Sequence, residues 1–197
     1  MKVTILKYNA GNVFSVLHAL KRIGVDAAVT DDPTYLRSAD RVIFPGVGEA
    51  STAMGYLREH GLDELIKSLT QPVLGICIGM QLLCRHSEEG NTPCLGIFDV
   101  PVRRFDNSAA PGMKIPHMGW NTIEAAPGKL IDARSAAGYL YFVHSFYAPV
   151  CEHTIATCNY ISPNSAALHK DNFYATQFHP EKRGSVGETI LKNFITL

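Results

Sequence analysis

Short, almost wholly apolar runs alternate with longer segments whose apolar residues recur every three or four positions in the first half of the chain. Such runs are typical of strands buried on both faces of a parallel sheet, and the longer segments are typical of helices that cover it. The pattern predicts strands over residues 3–8, 25–29, 41–44 and 73–76, with helices beginning near Asn12, Asp32, Ser51 and Met80.

The second half consists of strand-like segments with short connections, followed by one closing helix. We therefore predict an α/β fold: an open, mostly parallel, twisted sheet with helices on both faces, plus an added antiparallel or mixed strand layer. At 197 residues, the chain is expected to form a single domain over residues 1–197. The predicted segments are strands over 95–105, 120–124, 139–145, 154–160, 165–169 and 173–178 and a helix over 185–195.

Charge and composition exclude several classes of function. Because 18 basic side chains balance 18 acidic ones, there is no electrostatic case for binding nucleic acid or a membrane surface. No apolar run reaches the roughly 20 residues that cross a bilayer, and the first residues do not form a signal peptide. Five cysteines without paired spacing favour neither a disulfide framework nor a metal site, so we expect a cytoplasmic protein with free thiols.

Cys77 carries the strongest chemical signal. It follows a predicted strand, precedes a predicted helix over residues 80–88, and has Gly75 and Gly79 two positions away on either side. This is the pattern of a nucleophile elbow, in which small neighbours permit a sharp strand-to-helix turn. The alternative is a buried cysteine that fills the core, since cysteine is among the most buried residue types.

A second signal lies at residues 176–181, where a strand ends at His179 and Glu181 follows two positions later. A cysteine nucleophile needs a base beside the thiol and a third group that orients the base. Because ligands bind at the carboxyl ends of strands in open α/β sheets, both signals are expected at one edge. The alternative is a solvated surface turn.

A third signal is the segment 45–48 after the third strand, where Gly46 and Gly48 flank Val47. Two glycines allow a backbone N–H to point into a site, as an oxyanion hole requires, and the N–H of Ile78 would be the second donor. A plain strand-to-helix turn also favours glycine, so both interpretations stay open here.

Together, residues 75–81 and 177–181 resemble the class I, triad-type glutamine amidotransferases. The resemblance extends along essentially the whole chain and implies the flavodoxin-like amidotransferase fold. It implies that Cys77 is the nucleophile, that His179 is the general base and then the acid, and that Glu181 orients His179. It implies no metal and no organic cofactor.

The same resemblance implies that Val47 and Ile78 supply oxyanion N–H groups and that Gly46 lets the strand flip. It further implies that L-glutamine is held by Gln81, His144, Ser145 and Phe146. Phe146 and Arg183 depart from the residues common in the family, Tyr and Ser, so Phe146 supplies no hydroxyl.

Within the family, residues 115–121 and 141–145 resemble the glutaminase subunits of imidazole glycerol phosphate synthases. That implies a heterodimer with a (β/α)8-barrel cyclase subunit, which receives ammonia through a channel and acts in histidine biosynthesis. Asn12, Pro116, Met118 and Trp120 are the expected docking residues. Core packing remains the alternative for Trp120, and helix capping for Asn12.

Three other functions stay open from the sequence. One is the glutaminase subunit of a different ammonia-channelling amidotransferase. Another is a hydrolase or cysteine peptidase with a similar elbow. The last is a catalytically silent module of the same fold that only binds a partner.

Overall fold

The computed structural model of the chain describes residues 1–9, 12–108, 110–182 and 184–197. Ala10, Gly11, Ala109 and Arg183, the last of them one of the two departures from the family pattern, lie outside these ranges. In chain order the elements are β1 (Val3–Leu6), α1 (Val13–Arg22), β2 (Ala27–Thr30), α2 (Pro33–Arg37), β3 (Arg41–Phe44), α3 (Ala50–Glu59), α4 (Leu62–Lys67), β4 (Val73–Ile76), α5 (Ile78–Leu83), β5 (Cys84–Ser87), β6 (Thr92–Pro93), β7 (Phe98–Arg104), β8 (His117–Asn121), β9 (Glu124–Ala125), α6 (Ala133–Ala136), β10 (Leu140–His144), β11 (Phe146–Tyr147), β12 (Thr154–Tyr160), β13 (Ser162–Lys170), β14 (Phe173–Thr176) and α7 (Ser185–Ile195).

The central sheet has eight strands in the order β2-β1-β3-β4-β14-β13-β12-β9. The first five run parallel to one another, and β13, β12 and β9 continue the sheet in antiparallel pairing. The predicted α/β class, with its mostly parallel sheet, is confirmed. The register pairs Thr176 of β14 with Ile76 of β4, so the residues that follow these two strands emerge side by side.

Alternate residues of the parallel strands pack against opposite faces of the sheet. In β3, Val42 and Phe44 belong to the cluster that includes the buried residues of α3 and α4, whereas Ile43 belongs to the cluster that includes those of α1 and α7. This division follows from the two-residue period of a strand. Apolar helix faces on both sides explain why the strands are apolar without a break.

The added strands of the second half form two further small sheets. One has four strands in the order β11-β7-β5-β6, and the other pairs β10 with β8 antiparallel. Both are the mixed or antiparallel layer that the sequence predicts. Among the helices of the described residues, none is both long and apolar enough to cross a bilayer.

The predicted helix over residues 80–88 is wrong in its extent. Helix α5 ends at Leu83, and the chain continues as β5. From Cys84 onward the backbone bonds to neighbouring strands instead, for example from the N–H of Gly96 to the Cys84 carbonyl at 2.8 Å. Pairing between distant segments therefore overrides the local helical pattern. The predicted bounds of β3, β4, β12 and α7 are confirmed.

Candidate active site

Cys77 lies on a sharp turn between β4 and α5, at φ 55° and ψ −107°. Non-glycine residues rarely adopt a positive φ, and such strain is concentrated at functional sites. The Cys77 N–H donates to the carbonyl of Thr176 at 2.8 Å, which ties the turn to β14. Its side chain lines a cavity of about 330 Å³. The thiol is thus presented to a cavity rather than enclosed in the core.

The glycines beside Cys77 are required by close packing. A side-chain carbon on Gly79 would collide with the backbone carbonyl of Phe44 in β3. One on Gly75 would lie 2.7 Å from the Leu83 side chain and 3.0 Å from the Gly79 carbonyl. Real Cβ atoms essentially never come within 3.0 Å of another group, so the turn fits against β3 only with glycine at position 79.

His179 and Glu181 follow β14 and lie inside the protein. His179 is 2% exposed and Glu181 is 3% exposed. The Nδ1 atom of His179 lies 2.6 Å from Oε1 of Glu181, while Nε2 is buried with no hydrogen-bond partner inside the described residues. Burial excludes the solvated-turn alternative. Since Nδ1 is engaged by Glu181, Nε2 is the ring nitrogen left for proton transfer.

The surroundings of His179 favour its protonated form. Burial alone would lower the pKa of His179, but the nearby Cys77, followed by Glu181, outweighs it and raises this pKa to about 10. An imidazolium beside a thiol favours the thiolate, which is the nucleophilic form of cysteine. Thiol, imidazole and carboxylate therefore form one electrostatic unit.

Asn12 reaches this unit from the other end of the chain. Asn12 is at the N-cap position of α1 with φ 75°, but its side chain makes no capping bond. It donates instead to Oε1 of Glu181, the same oxygen that faces His179. Arg22 of α1 also donates to the Glu181 carbonyl at 3.3 Å. No local pattern in the sequence indicates this contact, because 169 positions separate Asn12 and Glu181.

The predicted oxyanion segment lies against the nucleophile turn. Val47 and Ile78 line the same cavity as Cys77. A side-chain carbon on Gly46 would collide with the Ile78 side chain and with the hydroxyl of Tyr8. Gly46 is therefore required by close approach, in addition to any freedom it gives the strand.

The predicted glutamine-binding residues line the cavity around Cys77. Two of them share one acceptor: the amide of Gln81 donates to the Phe146 carbonyl at 2.9 Å, and Nδ1 of His144 donates to it at 2.7 Å. Burial is the main cause that lowers the pKa of His144, to about 3, so this ring is neutral. The lining residues predicted from sequence are Gln81, His144, Ser145 and Phe146.

Sequence reasoning missed Glu89, whose side chain lines the same cavity. Its carboxylate accepts the N–H of Ala50 at 2.8 Å. Burial raises the pKa of Glu89, and the Ala50 hydrogen bond opposes the rise. The missed carboxylate lies in a 3-10 turn after β5, just beyond the end of the helix predicted over residues 80–88.

Of the four predicted docking residues, Pro116, Met118 and Trp120 lie on or beside β8, whereas Asn12 lies at the start of α1. Met118 and Trp120 are 63% and 52% exposed, which excludes core packing for Trp120. Pro116 precedes the strand and lines the Cys77 cavity. The Trp120 ring contacts Tyr141 edge to face, with centroids 5.6 Å apart. One strand thus carries exposed apolar side chains close to the candidate active site.

A larger cavity of about 800 Å³ lies along β9 and β12, and none of the predicted site residues line it. Because Cys77 lines the smaller cavity and does not line the larger one, the smaller cavity is the candidate active site. Within the described ranges, no cluster of three or more His, Cys, Asp or Glu side chains could hold a metal ion.

Comparison with known proteins agrees with this geometry. The profile of the family described as glutamine amidotransferase class-I matches residues 5–197. The chain belongs to this family. Membership assigns glutamine amidotransferase activity, the release of nitrogen from the glutamine side-chain amide.

Relatives of this amidotransferase match it along its full length. It is 61% identical over 197 residues to imidazole glycerol phosphate synthase subunit HisH of Bacteroides thetaiotaomicron, covering 100% of both chains. It is 47% identical over 199 residues to the HisH subunit of Escherichia coli, again covering 100% of both.

Solved structures support the fold. A glutamine amidotransferase matches with a TM-score of 0.73 at 19% identity, covering 100% of this chain and 98% of that chain. A glutamine amidotransferase from Thermotoga maritima matches with a TM-score of 0.61 at 17% identity, covering 100% of this chain and 81% of that chain.

Proposed function

We propose that this amidotransferase hydrolyses L-glutamine through a covalent thioester on Cys77. The Cys77 thiolate attacks the side-chain amide carbon, and the N–H groups of Val47 and Ile78 stabilise the oxyanion. Protonated His179 gives its Nε2 proton to the departing ammonia. Neutral His179 then removes a proton from water, which attacks the thioester and releases glutamate. The observation that carries this proposal is the buried imidazole of His179 between a thiol and the Glu181 carboxylate.

Substrate recognition follows from the polar groups around the cavity. Glutamine carries an ammonium group and a carboxylate at one end and the reacting amide at the other. The Glu89 carboxylate is suited to the ammonium group, and Gln81 and Ser145 supply hydrogen-bonding groups beside His144, whose ring lines the same cavity. The cavity requires no metal or organic cofactor for this chemistry.

We further propose that the chain is the glutaminase subunit of an imidazole glycerol phosphate synthase, acting as one domain over residues 1–197 in the cytoplasm. Its full-length likeness to HisH subunits supports this assignment. The partner is a (β/α)8-barrel cyclase that receives ammonia through a channel and makes imidazole glycerol phosphate and aminoimidazole carboxamide ribotide for histidine synthesis. The exposed face of β8, with Met118 and Trp120, is the proposed docking surface.

The test is glutamate release by the purified chain, alone and with the cyclase subunit from the same genome. We expect slow hydrolysis alone and strong stimulation by the partner with its nucleotide bound. Stimulation by a different ammonia-using synthase, but not by the cyclase, would instead favour the second amidotransferase hypothesis. No hydrolysis in any complex would favour the silent module, and cleavage of peptides would favour a peptidase.

A further inference from the structure

A chain of hydrogen bonds connects β8 to the glutamine cavity. On β8, the Asn121 amide lies 3.3 Å from Nε2 of His117. The Nδ1 atom of His117 lies 3.2 Å from Nε2 of His144 on the paired strand β10. Nδ1 of His144 lies 2.7 Å from the Phe146 carbonyl. His117 and Asn121 lie on one face of β8, and Met118 and Trp120 lie on the other. One face of this strand therefore belongs to the hydrogen-bond series, and the opposite face forms the proposed docking surface.

The direction of hydrogen-bond donation is fixed at both ends of this series of bonds. The Phe146 carbonyl can only accept, so His144 carries its proton on Nδ1 and accepts at Nε2. His117 must then donate from Nδ1 and accept at Nε2. At the far end, Oδ1 of Asn121 accepts the N–H of Thr122 at 2.8 Å, which leaves its NH₂ group to donate to His117.

Packing holds His117 in this arrangement. Its side chain is buried, and its ring stacks between Tyr160 at 3.8 Å and Phe142 at 4.7 Å between centroids. Burial lowers the pKa of His117 to about 4 and is also the main cause that lowers the pKa of His144. Both rings are therefore neutral, as the single direction of donation requires.

Beyond the Phe146 carbonyl, the network continues to the nucleophile. The Gln81 amide donates to this carbonyl at 2.9 Å and to Oε1 of Gln177 at 3.0 Å. The Gln177 amide in turn approaches Sγ of Cys77 at 3.8 Å. The orientation of His144 and of the carbonyl it holds therefore bears directly on the position of the Gln81 amide.

We propose that His117 and Asn121 are positioning residues for glutamine: their hydrogen bonds hold the ring of His144, and through it the Phe146 carbonyl, where the Gln81 amide binds. This inference rests on the proposed glutaminase function. Neither residue lines the cavity, so both act through His144. Their effect should fall on glutamine binding rather than on the reactivity of the thiol.

Two substitutions at one position separate hydrogen bonding from packing. His117→Phe keeps a stacked ring but removes both hydrogen bonds, whereas His117→Asn loses the ring but places an amide N–H near the position of Nδ1. In the complex with the cyclase, we expect His117→Phe to raise the KM for glutamine about tenfold, the value of one buried hydrogen bond, with little change in kcat. We expect His117→Asn to raise KM less. The reverse order, or an unchanged KM in His117→Phe, would overturn the proposal.

Asn121→Leu provides a second variant should His117→Phe not fold. Asn121 is only partly buried, so the fold should tolerate this change. We expect a KM increase in the same direction but smaller, because His117 remains. An unchanged KM in Asn121→Leu contradicts the role of Asn121. In all variants, alkylation of Cys77 by iodoacetamide should keep its wild-type rate. A loss of alkylation rate as large as the increase in KM would show that the substitution acts on the nucleophile instead.

The tautomers can be measured without activity. In the ¹⁵N spectrum of the wild-type chain, we expect His117 and His144 to be neutral and protonated on Nδ1. A wild type with these tautomers but no glutamine hydrolysis would refute the proposed function and leave the hydrogen-bond series from Asn121 to Phe146 intact. A wild type that hydrolyses glutamine while His144 is protonated on Nε2 would refute that hydrogen-bond series alone.

Discussion

The hydroxyl of Tyr8 donates a 2.6 Å hydrogen bond to the carbonyl of Pro45, the first residue of the proposed oxyanion segment. Tyr8 is 6% exposed, and its ring packs against Phe44 at 5.3 Å between centroids. Burial, and next the nearby Cys77, raise the pKa of the Tyr8 hydroxyl, so it stays a donor. This bond restrains one orientation of the peptide between Pro45 and Gly46, next to the peptide that carries the Val47 N–H, which we expect to turn when the oxyanion hole forms.

We therefore expect Tyr8→Phe to raise the kcat of the isolated chain for glutamine severalfold, because turning the segment no longer breaks a buried hydrogen bond worth about 1 kcal/mol. KM should change little, and stimulation by the cyclase should shrink in proportion. Steady-state glutamate release with and without the partner measures both quantities. A kcat equal to or below the wild-type value would show that the hydroxyl does not restrain the segment.

The matched control is Tyr56→Phe, which removes a hydroxyl from α3, where the ring stacks on His60. It should leave kcat unchanged. Because Tyr8 also lies near Cys77, iodoacetamide alkylation of Cys77 is measured in parallel. An equal rate in Tyr8→Phe and wild type assigns the effect to the oxyanion segment rather than to the thiol.

Cys77→Ala should abolish glutamine-dependent synthesis in the complex, since no thioester can form. Synthesis from added ammonium salt should continue, because it bypasses the glutaminase site. The control is Cys94→Ala, which removes a half-buried thiol whose nearest polar contact is the Thr92 carbonyl at 3.4 Å. Product formation from each nitrogen source measures both. Glutamine-dependent turnover above background in Cys77→Ala would remove Cys77 from the nucleophile role.

Local patterns in the sequence were sufficient for much of the fold. The bounds of β3, β4 and α7 follow from periodicity within one segment, and the cap of α2 follows from Asp32, whose side chain accepts the N–H groups of Thr34 and Tyr35. Each of these features is decided by residues a few positions apart. Motif spacing likewise indicated Cys77 and His179, because the strands that carry them end at the same edge.

Contacts between distant segments could not be predicted in the same way. The bond from Asn12 to Glu181 depends on where α1 meets the end of β14, and the pairing of His117 with His144 depends on strand register. The strand that follows α5 is another case, since its partners β6 and β7 lie further along the chain. A one-residue shift in register would turn His117 to the opposite face.

Gly79→Ala should destabilise the fold strongly, because the added carbon would collide with the Phe44 carbonyl, a backbone atom that cannot move alone. We expect a loss of about 3 kcal/mol or more in the free energy of unfolding. The control is Gly55→Ala in α3, where the added carbon meets nothing within 4 Å. There we expect a gain of about 0.5–1 kcal/mol from helix propensity. Urea unfolding measures both, and equal effects would contradict the packing argument.

Trp120→Ala should weaken binding of the cyclase about thirtyfold, the effect of a loss of about 2 kcal/mol at an aromatic interface residue. Because Trp120 is half exposed, its removal should change the free energy of unfolding little. Isothermal titration calorimetry measures the Kd. Val150→Ala is the control, since Val150 is also about half exposed but lies outside β8. Equal affinities for Trp120→Ala and wild type would exclude β8 as the docking surface.

The elevated pKa of His179 makes the stability of the fold depend on pH in a defined direction. Its pKa rises from the ordinary histidine value of 6.5 to about 10 on folding, although burial alone would lower it, because the nearby Cys77 and then Glu181 favour the imidazolium. The contribution of the protonated ring is therefore complete below about pH 6.5 and is lost as the pH rises through about 10. Urea unfolding of wild type and His179→Gln across this window should show a stability difference that shrinks steadily with pH. A difference that stays constant or grows would mean that the folded protein holds His179 neutral, and the imidazolium could not then protonate the departing ammonia.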